Sequence, residues 1–118
     1  MACQEKLLDV LTQLVTDKSP YTRRYASGTI FALACVDSNT VRIARHSQGE
    51  ILAALTHLLI NDQVEEVRIN AAEGLFNMAR NNTEDTLEIM GNHSEVFPKL
   101  AQSVLSDYSA DVRAFSAR

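Results

Sequence analysis

Apolar residues recur along this chain at the spacing of helices that bury one face. Near the N-terminus they follow an i, i+1, i+4, i+7, i+8 stripe, and the same stripe returns over residues 51–59. That spacing gathers apolar side chains on one side of an α-helix, whereas a strand would alternate them. Both segments are therefore predicted to be half-buried helices. The stripes are Leu7, Leu8, Leu11, Leu14 and Val15, then Ile51, Leu52, Leu55, Leu58 and Leu59.

Polar residues and a proline mark where further helices begin. Ser19 can accept a hydrogen bond from a free backbone N–H of a first turn, and Pro20 fits that turn because its missing N–H is not needed there. The helix that follows carries an apolar stripe with small residues, so a neighbouring helix can come close. That stripe is Ala26, Ile30, Leu33 and Ala34. Further starts are predicted at Asp37–Ser38, at Asn82–Thr83, near Ser94 and at Ser109.

The chain also repeats itself with a period of about 45 residues. Residues 22–34 align with residues 67–79 and share Arg, Ala, Phe and a final Ala at the same positions, and another step reaches residues 112–118. The stripes before the blocks align as well: residues 51–60 match residues 96–105 at a step of 45, whereas residues 7–15 match residues 51–59 at a step of 44, so one residue is missing from the first loop. Each unit is predicted to hold a short, a medium and a longer helix. Together they predict a single all-α domain, 1–118, of about two and a half units: 1–36, 37–81 and 82–118.

Composition favours the same fold class. The chain has 118 residues, enough for one domain. It contains only four glycines and two prolines, fewer than a β-sandwich of this size needs for its turns. A helical domain with one apolar core is therefore expected. The predicted core consists of Leu11, Leu14, Ile30, Leu33, Leu55, Leu58, Leu75 and Met78.

Charge and hydropathy exclude several classes of partner. The net charge is −4 and there are only two basic pairs, so no clustered basic face is available for nucleic acid. No apolar run approaches the roughly 18 residues that a membrane span requires, and no signal peptide is visible. We expect a cytoplasmic protein, with the nucleus as the alternative. Cys3 and Cys35 have no metal or disulfide spacing, so both are expected to be reduced thiols and Cys35 a small core residue.

The third helix of the unit carries a family resemblance. From Val67 to Ala79 the chain reads Val-Arg-x-x-Ala-Ala-x-x-Leu-x-Asn-x-Ala, which resembles the armadillo repeat. Asp111-Val112-Arg113 is similar to the Asp-x-Arg signature of the related HEAT repeat. The resemblance covers almost the whole chain. It implies a right-handed α-solenoid, an armadillo/HEAT-like superhelix, whose third helices line a concave groove.

The same resemblance implies a protein–protein interaction module of the scaffold or adaptor type, which holds a protein or an extended peptide in that groove. Armadillo grooves use asparagines on the third helices, because a carboxamide can pair with both groups of a peptide backbone. Asn77 matches that position in the second unit, and its alternative role is a bond to an adjacent helix or to water. Helical spacing defines the predicted partner-binding residues. They are Arg24, Gly28 and Ala32 on one helix, and Ile69, Glu73 and Asn77 on the next.

An arginine recurs at the same position of each unit: Arg23, Arg68 and Arg113. In armadillo and HEAT units this arginine usually pairs with an acid of its own or the adjacent unit, and its planar fork binds a carboxylate at two points. A structural role is therefore expected. The candidate partners are Asp62, Asp107 and Asp111.

No catalytic, metal or cofactor motif emerges. His46, His57 and His93 are scattered, and neither a phosphate loop nor a dinucleotide fingerprint is present. We therefore expect a protein that is not an enzyme and holds no cofactor or metal. The alternative function is a HEAT-like lyase, or an enzyme-accessory or chaperone subunit. A lyase would need a larger apolar cavity and a reactive group, and the sequence indicates neither.

The last unit stops inside its third helix. Solenoid units bury their apolar faces only against neighbours, so an incomplete unit leaves apolar surface uncovered. We expect the chain to be a fragment of a longer solenoid, with self-association through an uncapped C-terminal end as the alternative. The residues at that end are Val104, Leu105, Val112 and Phe115.

Overall fold

Helices make up nearly all of the described chain. The computed structural model describes residues 2–80, 84–92, 96, 98–100 and 102. No strand occurs among these residues, which confirms the predicted all-α class for them. The helices are α1 (Ala2–Leu14), α2 (Pro20–Ala34), α3 (Asp37–Arg45), α4 (Glu50–Asn61), α5 (Glu65–Arg80) and α6 (Glu84–Asn92), with a short 3₁₀ segment, His46–Gly49, between α3 and α4.

Two of the predicted helix starts fall within the described residues. Ser19 caps α2 by accepting a hydrogen bond from the backbone N–H of Thr22 at 3.4 Å, and Pro20 occupies the first turn, as predicted. Helix α3 begins at Asp37, but its N-cap residue is Val36, whose side chain makes no capping bond. The expected cap at Asp37–Ser38 was therefore wrong by one residue. The starts at Asn82–Thr83, Ser94 and Ser109 lie outside the described residues, as does the predicted uncapped end.

Removing the Ser19 cap gives a first test of this local structure. Ser19→Ala deletes the oxygen that satisfies an otherwise unpaired N–H of the first turn, so the free energy of unfolding should fall by about 1 kcal/mol. Urea denaturation followed by circular dichroism measures the loss. Ser19→Asp keeps an acceptor in the same place and should restore most of the stability. A loss that Asp does not restore would show that the capping bond is not the cause.

The predicted apolar stripes form one core. Six of the eight predicted core residues are buried, while Leu14 and Leu33 are partly buried and pack against the core edge. The whole stripe of α4 is buried. Leu7 breaks the pattern of α1, because it is exposed although its spacing matched the buried face. Cys35 also differs from expectation: it ends α2 and is exposed, so it is not a core residue.

Hydrogen bonds recur at the period found in the sequence. Thr12 and Thr56, 44 residues apart, each donate their hydroxyl to the carbonyl oxygen four residues earlier, at 2.7 Å in both helices. Asp17 and Asp62, 45 residues apart, each accept the backbone N–H two residues later at 2.9 Å. The step grows from 44 to 45 between these pairs, which agrees with one residue missing from the first loop. The repeat therefore extends from sequence to local hydrogen bonding.

The recurring arginines tie the repeats together. Arg23 donates from Nε to Asp62 Oδ2 at 2.7 Å and from Nη2 to Asp62 Oδ1 at 3.4 Å, which confirms the expected pairing for this arginine. Its Nη1 also donates to the carbonyl oxygen of Asp17 at 2.9 Å. Arg68 repeats this last contact 45 residues later, donating from Nη1 to the carbonyl oxygen of Asp62 at 2.8 Å. Arg113, Asp107 and Asp111 lie outside the described residues.

A sharp turn joins α3 to α4. Ser47, Gln48 and Gly49 have successive positive φ angles of 48°, 60° and 90°. Only the glycine adopts this region without steric cost from a Cβ. His46, buried at the start of the turn, places Nε2 2.8 Å from Oδ1 of Asp9 and so ties the turn to α1.

Candidate protein-binding surface

Helices α2 and α5, the long helices of successive repeats, pack side by side. Small residues let their backbones approach: a Cβ added at Gly74 would lie 3.8 Å from the Phe31 Cα. Asn70 then bridges the helices, since its Nδ2 donates to the carbonyl oxygen of Arg24 at 3.1 Å and to Ser27 Oγ at 3.3 Å. The two helices therefore present their remaining side chains on a shared surface.

Aromatic and charged side chains cluster at one end of this surface. The Arg24 Nη1 lies 3.3 Å from Glu66 Oε2, and Nη2 donates to the Tyr25 hydroxyl at 3.2 Å. The Arg24 guanidinium carbon sits 5.0 Å from the ring centre of Tyr25 and 5.8 Å from that of Tyr21. Both rings face solvent, with exposed fractions of 69% for Tyr21 and 66% for Tyr25. We call Tyr21, Arg24, Tyr25 and Glu66 the tyrosine–arginine patch.

Arg24 is charged within the patch, and Glu66 balances that charge. The hydrogen bond with Tyr25 raises the pKa of Arg24, and the negative charge of Glu66 raises it further. A guanidinium held against an aromatic ring gains cation–π attraction and is partly pre-ordered. The Arg24 side chain therefore contacts both Tyr25 and Glu66 at the surface.

The predicted site residues on α2 lie along the surface that carries the patch. Arg24 belongs to the patch. Gly28 lies beside Asn70, because a Cβ added at Gly28 would stand 3.4 Å from Asn70 Nδ2. Ala32 is exposed. The binding role of all three stays a prediction.

The predicted site residues on α5 are all at least partly buried. Ile69 is partly buried and packs against the core, and Glu73 is half-buried. Asn77 is buried and donates from Nδ2 to Cys35 Sγ at 3.4 Å. Its amide nitrogen therefore bonds the end of the adjacent helix, which was the alternative role for this asparagine.

Contacts across the two helices do not follow the repeat period of 45. Asn70 bonds Ser27 at a separation of 43 residues and the carbonyl oxygen of Arg24 at 46, and three other contacts join residues 42 positions apart. Arg24 meets Glu66 and Cys35 meets Asn77 at this offset, and Gly28 and Asn70 are neighbours at the same offset. Glu66 therefore meets Arg24, and Asn70 lies beside Gly28, although the repeat alignment pairs Arg24 with Ile69 and Gly28 with Glu73.

Sequence reasoning did not single out Tyr21, Tyr25 or Asn70. A signal was present: the two tyrosines are spaced i, i+4 on the polar side of α2, one on each side of Arg24. Large aromatic residues opposite an apolar stripe indicate a contact surface, because tyrosine and arginine are enriched in protein interfaces. Asn70 gave no comparable signal, since its role depends on the stagger between the helices.

Within the described residues, no group of three or more His, Cys, Asp or Glu side chains could hold a metal ion. None of the helices described here has the length and apolar character needed to cross a membrane.

Comparison with known families decides the classification. The family model described as the Vacuolar 14 Fab1-binding region matches residues 24–117, most of the chain. The chain belongs to this family. The Vac14 family has an ARM/HEAT-like helical repeat fold, so the resemblance to armadillo and HEAT repeats holds at the level of helical repeats. The matched span of the Vac14 family begins at Arg24 and includes three members of the tyrosine–arginine patch. No curated protein matches the chain.

Proposed function

We propose that this chain is a protein-binding domain of the scaffold or adaptor type and that its partner is Fab1. The description of the Vac14 family as a Fab1-binding region supports the choice of partner. The single structural observation that carries the proposal is the tyrosine–arginine patch, an arginine held against two exposed aromatic rings. Tyrosine and arginine are the residue types that most often dominate binding energy in protein interfaces.

The proposed mechanism is contact along the α2–α5 surface. The rings of Tyr21 and Tyr25 combine an apolar face with a polar hydroxyl. The hydroxyl remains hydrated while the ring is exposed, and burial of the ring against a partner contributes binding free energy. Gly28 and Ala32 continue the same face of α2 with little side-chain bulk. A partner segment can therefore lie along α2 next to the patch.

The finer architecture is part of the same proposal. We propose that the repeats continue as a right-handed α-solenoid and that α2 and α5 line its concave side, where an extended segment of the partner binds. The recurrence of threonine hydrogen bonds at a step of 44 residues and of arginine hydrogen bonds at a step of 45 supports a regular stacking of units. We further propose a cytoplasmic, non-catalytic role for this domain, with the nucleus as the alternative location.

Replacing both exposed tyrosines tests the binding surface. Tyr21→Ala with Tyr25→Ala removes the two rings but no core side chain, so the fold should persist and the Kd for purified Fab1 should rise at least about tenfold. Isothermal titration calorimetry measures the affinity, and circular dichroism checks the helix content. His57→Ala, an exposed position on α4, is the control and should bind as the wild type does. Unchanged affinity of the double variant would place the Fab1 contact elsewhere.

A further inference from the structure

A second surface, unrelated to the tyrosine–arginine patch, follows helix α3. A small apolar cleft lies between α1, the end of α2 and α3. Four of its lining residues are aliphatic, and the other two are polar residues of α3. The lining residues are Leu7, Leu8, Leu33, Asn39, Arg42 and Ile43.

The cleft continues into a larger open pocket through a shared residue, Arg42. This pocket has a volume of about 440 Å³. Four of its residues lie at positions i, i+3, i+4 and i+7 of α3, so the pocket runs along one face of the helix. Its lining is Ser38, Val41, Arg42, Arg45, His46 and Ser47. We call the cleft and the pocket together the α3 groove.

An apolar side chain of α1 is exposed at the α3 groove. Leu7, which lines the cleft, is 42% exposed. Val10, about one turn further along α1, is 49% exposed. Leu7 therefore supplies accessible apolar surface at the cleft.

Two arginines stand along the groove. Arg42 and Arg45 are exposed in the last turn of α3. Among the described residues, neither guanidinium has a hydrogen bond or an ion pair, in contrast to Arg23 and Arg24. The carboxylate of Asp9, on α1, bonds His46 at the end of the groove. An apolar cleft flanked by two available cations complements a ligand that carries both apolar and acidic side chains.

We propose that the α3 groove is a second protein-binding surface and that its occupant is a short amphipathic helix rich in Asp and Glu. One apolar side chain of that helix enters the cleft beside Leu7, and carboxylates on neighbouring turns pair with Arg42 and Arg45. A bound amphipathic helix presents its anchors at i, i+3, i+4 and i+7 on one face, so it can offer apolar and acidic side chains together to a groove that combines an apolar cleft with Arg42 and Arg45. Arginine is suited to the contact because its fork binds carboxylates at two points.

A lipid surface fits the same groove less well. Polybasic segments that hold proteins on anionic membranes carry about four to eight Lys or Arg, whereas the groove offers two arginines on a chain of net charge −4. The narrow cleft also takes a single side chain rather than a broad apolar layer. The occupant is therefore a protein segment.

Selection from a peptide library tests the proposal. Random peptides of about 12 residues, long enough for three helical turns, are displayed on phage and selected on the immobilised chain. The enriched peptides should combine Asp or Glu with Leu, Ile or Phe at helical spacing. Their affinity, measured by fluorescence anisotropy of labelled peptide, should fall at least about tenfold for Arg42→Gln with Arg45→Gln and for Leu7→Ser.

Matched variants separate this surface from the patch. Arg80→Gln, an exposed arginine at the end of α5, and the Tyr21→Ala, Tyr25→Ala double variant should both bind the selected peptides as the wild type does. The substituted groove residues are exposed, and equal thermal unfolding of the variants confirms that they fold. Failure to enrich any peptide, enrichment of basic or uncharged peptides, or binding unaffected by Arg42→Gln with Arg45→Gln would overturn the proposal. So would Arg42-dependent binding to phosphatidylserine vesicles without binding of acidic peptides.

Discussion

Truncating Leu55 to alanine is expected to lower the free energy of unfolding by about 2–5 kcal/mol. Leu55 is fully buried in the middle of α4, and its Cδ1 would lie 3.6 Å from a Cβ at Gly74 of α5. Removing it leaves a cavity where α4 meets α5, since neither backbone can collapse into the space without moving the other. Denaturation in urea, followed by far-UV circular dichroism, measures the change.

Val10→Ala is the matched control for this prediction. Val10 is also an apolar helix residue, but about half of its surface is already exposed on α1. Its truncation should change the free energy of unfolding by no more than about 0.5 kcal/mol. If Leu55→Ala lowers the free energy of unfolding as little as Val10→Ala does, the apolar stripe of α4 does not face the core.

The helices and most of the core could be predicted because hydrophobic periodicity fixes the rotation of a helix. The stripe of α4 shows this, since every residue in it is buried. The stripe that begins in α1 has the same spacing, yet Leu7 within it is exposed. The pattern says which face is apolar, but whether another element covers that face depends on the neighbours in space. Cys35 was misplaced for a different reason. Its backbone keeps helical angles, and it comes one residue after Ala34, the last buried residue of α2, so the helical rotation turns its side chain out of the core.

The candidate surface could be predicted only in part. Helical spacing places Arg24 and Gly28 on one face of α2, because residues on one helix share a rigid frame. The partners across the interface were missed, since the repeat alignment pairs Arg24 with Ile69 at 45 residues whereas its contact is Glu66 at 42. A repeat period says which residues are equivalent. It does not say how far one helix slides along its neighbour, and side-chain packing sets that stagger.

The ion pair between Arg23 and Asp62 is expected to give the other large effect on stability. The side chain of Asp62 is 3% exposed, and that of Arg23 is 19% exposed. Asp62 also accepts the backbone N–H of Val64, and its carbonyl oxygen accepts from Arg68. Asp62→Ala leaves the Arg23 guanidinium largely buried without its carboxylate, so we expect a loss of about 3 kcal/mol in the free energy of unfolding.

A double-mutant cycle with Arg23→Ala isolates the pair from the other bonds of Asp62. The coupling free energy should be about 1–3 kcal/mol, because the two side chains lie in direct contact.

The neighbouring pair of Arg24 and Glu66 is the comparison: it joins the same two repeats at 3.3 Å, but Glu66 is exposed. Solvent and salt weaken exposed pairs, so Glu66→Ala should leave the unfolding midpoint nearly unchanged. If Asp62→Ala were equally harmless, apolar packing alone would hold the repeats together and the recurring arginine would have no structural role here.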